Sequence, residues 1–401
     1  MSHNITVQGG TTVRLPTAGK YCDQDIIVTA EGGSIDLNVV TASALPGTVV
    51  DGQIVVITDT PAPSLYVDMD EPGNPAAGDV WVRMEAGAEV KLELSEESPY
   101  LNAGLVYAGQ WAGSSYMPCA AYLGKNGTWV EFAKALPPIG TPLNDCTWDE
   151  ISAIAAAGLA DRYWTVGDAK QITINGKVGI TTFSNYSIWA YIIGINHNAE
   201  IEGSNKIHFQ LAKTAQTGGK DLCFTDSRQG TYSNPAGSFA LSHSWSNSGG
   251  WASSPMRTAI LGSDAAPATP AADTFMAALP YDLRNVMKPC TKYTDNQGGS
   301  GDTASKVTAT TEYLWLPAEF EILGNRNQAN SAEKNYQAQY AYYSAGNSPI
   351  KYRQTDYAAA LWFTRSVRAG SSSAYCVMQA SGGMSYYDGI YSQGIAPCFC
   401  V

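Results

Sequence analysis

The sequence predicts an α+β, β-rich fold, and three observations carry that expectation. Charged residues make up only 15% of 401 residues, and Gly, Ser, Thr, Asn and Tyr are abundant, a composition that favours strands and loops over helices. Short β-branched runs punctuated by glycine recur along the chain. Among them stands one clear helix start, where Thr147 is followed three residues later by Glu150 and then by Ile151, Ile154 and an alanine run. That is a capping box leading into an amphipathic turn.

At about 150 residues per domain, the length allows two or three domains. Residues 1–60 read as an N-terminal β region for attachment and oligomerisation. Ile5–Val7, Thr11–Leu15 and Asp25–Ala30 are short strands separated by Gly9-Gly10 and Thr17–Lys20, and Gln53–Thr58 is a further strand after the Val39-Val40 and Val49-Val50 runs. Some thirty residues of this kind cannot bury a core alone, so the unit packs on a partner or on its own copies. Pro61 and Pro63 mark a boundary, since proline cannot continue a ladder.

Residues 61–135 read as a small tryptophan-bearing antiparallel module. Its strands are Gly78–Arg83, Val90–Leu94, Tyr107–Trp111 and Asn126–Phe132, the last opened by an Asn-Gly turn. Trp81, Trp111 and Trp129 each lie in a strand with apolar neighbours, as core residues do. Pro137-Pro138 begins a linker, and residues 140–401 form the large C-terminal domain.

In that domain the helix from Thr147 comes first. Asn175-Gly176 predicts a hairpin between Gln171–Ile174 and Lys177–Ile180, and Ile188–Ile195 a buried strand ending at Asn196-His197-Asn198. Helices are expected from Asp273 to Leu279 and again from Pro280 to Met287. Tyr313–Pro317 reads as a strand, and the polar stretch 324–357 as a long surface excursion.

The end of the chain has a composition of its own. Between the apolar run Ala358–Phe363, followed by Thr364-Arg365-Ser366, and the closing run Ile395–Val401, residues 366–393 are dominated by Ser, Tyr and Gly. This is the alphabet of a displayed binding surface, with tyrosine as rigid amphipathic contact area and Ser and Gly as adaptable surface.

The formal net charge of -12 argues against nucleic acid and against an anionic membrane surface as partners. No apolar run reaches the ~20 residues of a membrane span. Met1–Gln8 lacks the basic start and apolar core of a signal peptide, so a soluble protein made in a cytoplasm is expected. The eight cysteines contain no CxxC pair, so they predict buried thiols and neither a zinc ribbon nor a dense disulfide framework.

The ordered set YWTVGD, IGINHN, GGWASSPMR, ALPYDLRNVMK, YLWLPAEFEI, LWFTRS and GIAPCFCV resembles the C-type-lectin-like variable proteins of diversity-generating retroelements, over roughly residues 140–401. The N-terminal repeats and the GQW and NGTWVEF elements resemble modules of phage tail proteins. The resemblance implies a C-type-lectin-like domain, also similar to the formylglycine-generating enzymes. In such a domain Trp362, Arg365 and Ser366 are the fixed start, and Gly394, Ala396, Pro397, Phe399 and Cys400 the fixed end, of a diversified region. It also implies a non-enzymatic receptor-binding protein on a phage tail tip or fibre, a homo-oligomer with a trimer favoured. Its partners would be a host cell-surface protein or glycan and other virion tail proteins.

The implied ligand-binding positions are Arg368, Ser371, Ser372, Ser373, Val377, Gln379, Ser381, Tyr386, Tyr387, Asp388, Ile390, Tyr391 and Ser392. Tyr375-Cys376 and Gly382 are implied to be scaffold, and Val367 and Met384 depart from the family pattern. No cofactor and no metal are expected. The lectin calcium motifs Glu-Pro-Asn and Trp-Asn-Asp are missing, although Ser254 and neighbouring Asp-containing loops offer oxygen ligands. A catalytic alternative would need Cys376 or Cys398 as nucleophile with His197, His208 or His243 as base. A further alternative is a static baseplate or adhesion component with no variable ligand.

Overall fold

A computed structural model describes residues 139–232 and 236–401, together with Pro137, residues 44–48 and the backbone of short strands between 3 and 133. The chain divides into two units, Met1–Pro137 and Pro138–Val401. The first contains two mixed four-stranded sheets. One runs in the order Thr128–Ala133, Ala121–Lys125, Ile54–Ile57, Val39–Ala42, and the other in the order Tyr116–Pro118, Leu105–Trp111, Val80–Met84, Leu65–Asp68. Val39–Ala42 pairs parallel to Ile54–Ile57, and Leu65–Asp68 parallel to Val80–Met84. The expected all-antiparallel arrangement is therefore corrected in those pairs. The expected boundary near residue 60 runs through a sheet, because Ile54–Val56 pairs with Ala121–Leu123. The side chains of Trp81, Trp111 and Trp129, the Val49-Val50 run and the Asn126-Gly127 turn lie outside the described residues.

The second unit is a mixed α+β, strand-rich structure. Its largest sheet is antiparallel, in the order Ala169–Val178, Thr181–Ile195, Ile207–Lys213, Cys398–Cys400. The last strand of the chain thus closes a sheet begun more than two hundred residues earlier. The helix Trp148–Ala156 starts where the capping box places it, with the Glu150 N–H donating to the Thr147 hydroxyl and the Thr147 N–H to the Glu150 carboxylate. Its buried Trp148 packs edge-on against Phe209 and Phe399, 5.4 and 5.9 Å between ring centroids. One apolar side chain therefore ties the first helix to the closing strand.

The hairpin differs from expectation. Asn175-Gly176 lies inside the strand Ala169–Val178 as a bulge, where the register shifts between Ile174 and Gly176. The turn falls at Gly179-Ile180. Gly179 has φ +54°, and a Cβ there would stand 1.9 Å from the Gly237 carbonyl oxygen. Close backbone approach from another segment, which local turn propensity does not encode, selects the turn.

Helices Phe275–Ala278 and Tyr281–Val286 occupy the two expected stretches, the second capped by Pro280. Tyr313–Pro317 is not a strand: Trp315 alone makes a bridge, to Cys398, before Pro317 and the helix Glu319–Leu323. Stretch 324–357 is not a surface excursion, because Ala329, Asn330, Glu333, Tyr340 and Lys351 are fully buried. Its polar sequence reflects buried polar groups that are hydrogen-bonded, as burial demands. Among the described residues no helix is long and apolar enough to cross a membrane.

Candidate ligand-binding face

The terminal region is a three-stranded antiparallel sheet, Trp362–Val367, Ala374–Met378 and Met384–Asp388. Every residue of the first strand is buried, including Thr364, Arg365 and Ser366. The Arg365 guanidinium donates to both Glu321 carboxylate oxygens, at 2.5 and 2.8 Å, to the Leu316 carbonyl at 2.9 Å and to the Thr294 hydroxyl at 2.8 Å. Burial works to raise the Glu321 pKa, but Arg365 and Lys292 outweigh it and hold the carboxylate well below its usual range. The Ser366 hydroxyl donates to Glu333 at 2.7 Å, and the Thr364 hydroxyl to the Cys376 carbonyl at 3.0 Å. These three polar residues anchor the sheet from beneath, so the segments after it leave a fixed base.

The structure separates the candidate residues into two groups. Arg368, Ser371, Ser372, Ser373, Asp388, Ile390 and Tyr391 surround the end of the hairpin where Ala374 pairs with Asp388. Gln379 and Ser381 lie on the turn beyond the pair Met378–Met384, four residues and about 13 Å along the strand. Tyr386 and Tyr387 lie between. Ser372, Gln379, Ser381 and Tyr386 are exposed, whereas Arg368, Ser371, Ser373, Tyr387, Asp388, Ile390 and Tyr391 are half-buried.

Two positions are not displayed. Val377 is fully buried because its strand is the middle one of the sheet and all five of its residues are covered. Ser392 is fully buried because its hydroxyl donates to Asp226 at 2.7 Å. Met384, the apolar departure, is buried as well.

A second stretch, described over residues 226–232 and 236–250, borders the same region. The Leu241 and Ser242 N–H groups both donate to the Gly389 carbonyl at 2.9 Å, and the Gly230 N–H donates to the Ser392 carbonyl at 2.7 Å. Fully buried Asn247 clamps the loop before Ala374. Its side-chain amide donates to the Ser371 and Ala374 carbonyls at 2.9 and 3.0 Å, and its backbone N–H donates to the Ser372 carbonyl at 2.8 Å. Its side-chain oxygen accepts from the Gly299 N–H at 2.7 Å.

The clamp brings rings of both segments together. Tyr232, Trp245 and Tyr391 stand 5.8 to 6.0 Å apart pairwise, and Tyr387 packs edge-on to Tyr391 at 4.7 Å. Tyr232 and Trp245 are 55% and 56% exposed. On the other face of the strand that carries Tyr387, since side chains alternate, the Arg368 guanidinium lies 3.4 Å over the ring of Tyr386, itself 43% exposed.

Residues 239–401 match the model of a domain of unknown function, DUF6273. No curated protein and no solved structure matches the chain. The DUF6273 match includes Trp245 and the terminal sheet but begins after Tyr232. Neither Tyr232 nor Trp245 was among the residues expected from sequence. The signal was present in Ser242-His243-Ser244-Trp245-Ser246-Asn247-Ser248, where a tryptophan stands without any apolar neighbour that would mark it as core.

Cys376, Cys398, His197 and His208 are all buried. Burial, and then the Glu319 carboxylate, pushes the Cys376 thiol far above its ordinary value, and burial does the same for Cys398. Burial lowers His197 to about 3 and His208 well below its usual range. His197 Nε2 finds no hydrogen-bond partner, and the ring stacks on Tyr340 at 3.9 Å between centroids. Ser254 is not available as an ion ligand in the sense first considered, since its hydroxyl donates to the Leu241 carbonyl and accepts from the Met256 N–H.

Glu333, under the same sheet, gives the domain a pH dependence. Burial raises its pKa from 4.5 to about 7, against the opposing hydrogen bonds from Ser366, Asp295 and Gln337. The folded state holds the proton more tightly than the unfolded state, so the contribution to stability is complete below about pH 4.5. It is lost as pH rises through 7, and amounts to about 3 kcal/mol. Urea midpoints measured from pH 5 to 8 are therefore expected to fall more steeply for the wild type than for Glu333→Gln. Parallel profiles would refute the assignment.

Proposed function

We propose that this chain is a non-enzymatic, diversified ligand-binding protein with a C-type-lectin-like C-terminal domain, carried on a phage tail tip or fibre. It is made in a bacterial cytoplasm and assembled as a homo-oligomer, a trimer, through its N-terminal region, with other virion tail proteins as neighbours. The observation that carries the reading is the cluster of exposed Tyr232 and Trp245 with half-buried Tyr387 and Tyr391, at the place where the Ser/Tyr/Gly-rich loops meet the stretch around Tyr232 and Trp245. Large exposed aromatics held by buried anchors are what a binding hot spot requires, since a few such residues dominate affinity. The return of the last strand into the first sheet of the domain supports the lectin-like reading. The high thiol and low histidine pKa values weigh against the formylglycine-generating type of chemistry.

In this reading the ligand is a host-surface protein or glycan. Gly389 and Asn247 hold the backbone while the exposed side chains change. The deciding experiment is to sequence the DNA flanking the gene. A near-copy of the segment encoding residues 361–401, differing at adenines and adjacent to a reverse-transcriptase gene, is expected. Its absence would sink diversification and favour the static tail or baseplate component, for which the exposed rings would be a subunit contact.

A further inference from the structure

We infer that the core of the C-terminal unit holds a structural divalent metal ion of the zinc class between His208, Cys290 and Cys400. The three ligating atoms lie within 4.8 Å of one another, and all three side chains are fully buried. The arrangement follows from strand register. His208 and Cys400 are direct partners across the antiparallel pair Ile207–Lys213 and Cys398–Cys400, which puts their side chains on one face of the sheet. Cys290 opens the strand Cys290–Asp295 and shares its buried face with Lys292 and Thr294.

A tetrahedral zinc ion with thiolates at about 2.3 Å and imidazole at about 2.0 Å sets ligand atoms about 3.5–3.8 Å apart. Small side-chain rotations close the remaining gap. Glu202 Oε2 lies 3.3 Å from the Cys290 sulfur but is held by the Lys292 ammonium at 2.5 Å, so the protein offers three ligands and leaves the fourth position to a small molecule.

Two further observations point to a ligand. His208 Nε2 has no hydrogen-bond partner although the ring is fully buried, while Nδ1 lies 3.4 Å from the Tyr340 hydroxyl. An imidazole with one nitrogen oriented by a neighbour and the other free is how a metal-ligating histidine is presented. The second observation is charge. Glu202 and Glu321 already face Lys292 and Arg365, so this part of the core is neutral with both thiols protonated. Binding M²⁺ with loss of one proton from each thiol, M²⁺ + 2 RSH → M(SR)₂ + 2 H⁺, leaves it neutral.

The neighbouring set His197, Glu202 and Glu321 is also compact, but it does not have this property. The Lys292 ammonium already stands 2.5 Å from Glu202 and 3.0 Å from Glu321, in the position a metal cation would take. Thiols next to an unpartnered imidazole therefore mark the first set as the metal site.

The test uses the full chain, produced with zinc in the medium and purified reduced without chelator. About one equivalent of zinc per chain is expected by elemental analysis. Replacement by Co²⁺ is expected to give thiolate-to-cobalt charge-transfer absorption and tetrahedral ligand-field bands. Cys290→Ser with Cys400→Ser should abolish both signals, and Cys22→Ser with Cys119→Ser should keep them. Should the first pair of substitutions prevent folding, the wild type still decides through its zinc content and the thiolate bands of its cobalt form. A chain that stays metal-free in excess zinc, a cobalt form without thiolate bands, or a Cys290–Cys400 disulfide in the unreduced protein would each overturn the assignment.

Discussion

Replacing Arg365 by Met is expected to destabilise the C-terminal unit by about 3–5 kcal/mol, the usual cost of removing one partner of a buried ion pair. The substitution nearly conserves volume, so packing is not the main loss. What is lost is the bidentate grip on Glu321 and the donors to the Leu316 carbonyl and the Thr294 hydroxyl, all fully buried. Lys292 stays 3.0 Å from Glu321 and compensates in part. A further Glu321→Leu substitution should therefore recover some stability, since an apolar pair of similar size can replace a buried ion pair without net cost. Urea denaturation of the single and double variants measures both effects. A loss under about 1 kcal/mol for Arg365→Met would mean that the anchor role is misassigned.

Substituting Trp245 and Tyr391 together by Ala is expected to weaken binding to intact host bacteria at least about thirtyfold, equivalent to about 2 kcal/mol, the threshold of a hot spot. Stability should change little, because Trp245 is more than half exposed. Two controls locate the effect. Tyr281, at 65% exposure, is the most exposed large apolar side chain among the described residues, and it is not part of the ring cluster. Gln379 and Ser381 lie at the far turn of the hairpin. Tyr281→Ala and the pair Gln379→Ala, Ser381→Ala should leave the fluorescence-measured affinity of the labelled chain within about twofold. Loss of binding in the controls with retention in Trp245→Ala, Tyr391→Ala would move the binding face to the other end of the sheet.

Those two experiments address what was least and most legible in the sequence. The helix at Trp148 was readable because its cap is local: Thr147 and Glu150 report on each other across three residues. Arg365 and Ser366 were recognisable as fixed by their place before a changed composition, but their partners Glu321 and Glu333 come from a stretch whose polarity read as surface. A buried carboxylate and an exposed one look alike until the cation facing it is known. The Asn175-Gly176 turn failed for the same reason in reverse. A strong local signal was overridden by Gly237, whose carbonyl leaves room only for glycine at position 179.

The proposed binding face was legible at its tyrosines and not at its ends. Val377 and Ser392 share the composition of their neighbours, and only the sheet order and the Asp226 hydrogen bond bury them. Trp245 and Tyr232 belong to a different part of the chain, more than a hundred residues from Tyr391. Their proximity is a product of the Gly389 and Ser392 backbone bonds.

The clamp made by Asn247 has a consequence for inheritance. All three of its hydrogen bonds to residues 371–374 end on main-chain carbonyl oxygens, which every amino acid possesses. A mutation at Ser372 therefore changes what the loop presents and leaves these bonds the same, whereas the hydroxyls of Ser371, which accepts from the Ser373 and Ala374 N–H groups, and Ser373, which donates to Asp388, also hold the loop. The carbonyls of Gly389 and Ser392, gripped by N–H groups of residues 230–242, extend the same property along the neighbouring strand end. At Ser372 sequence change is thus separated from shape change, while at Ser371, Ser373 and Ser392 the side chain is part of the hold. A lineage can replace the side chain at Ser372 without touching the bonds that Asn247 makes.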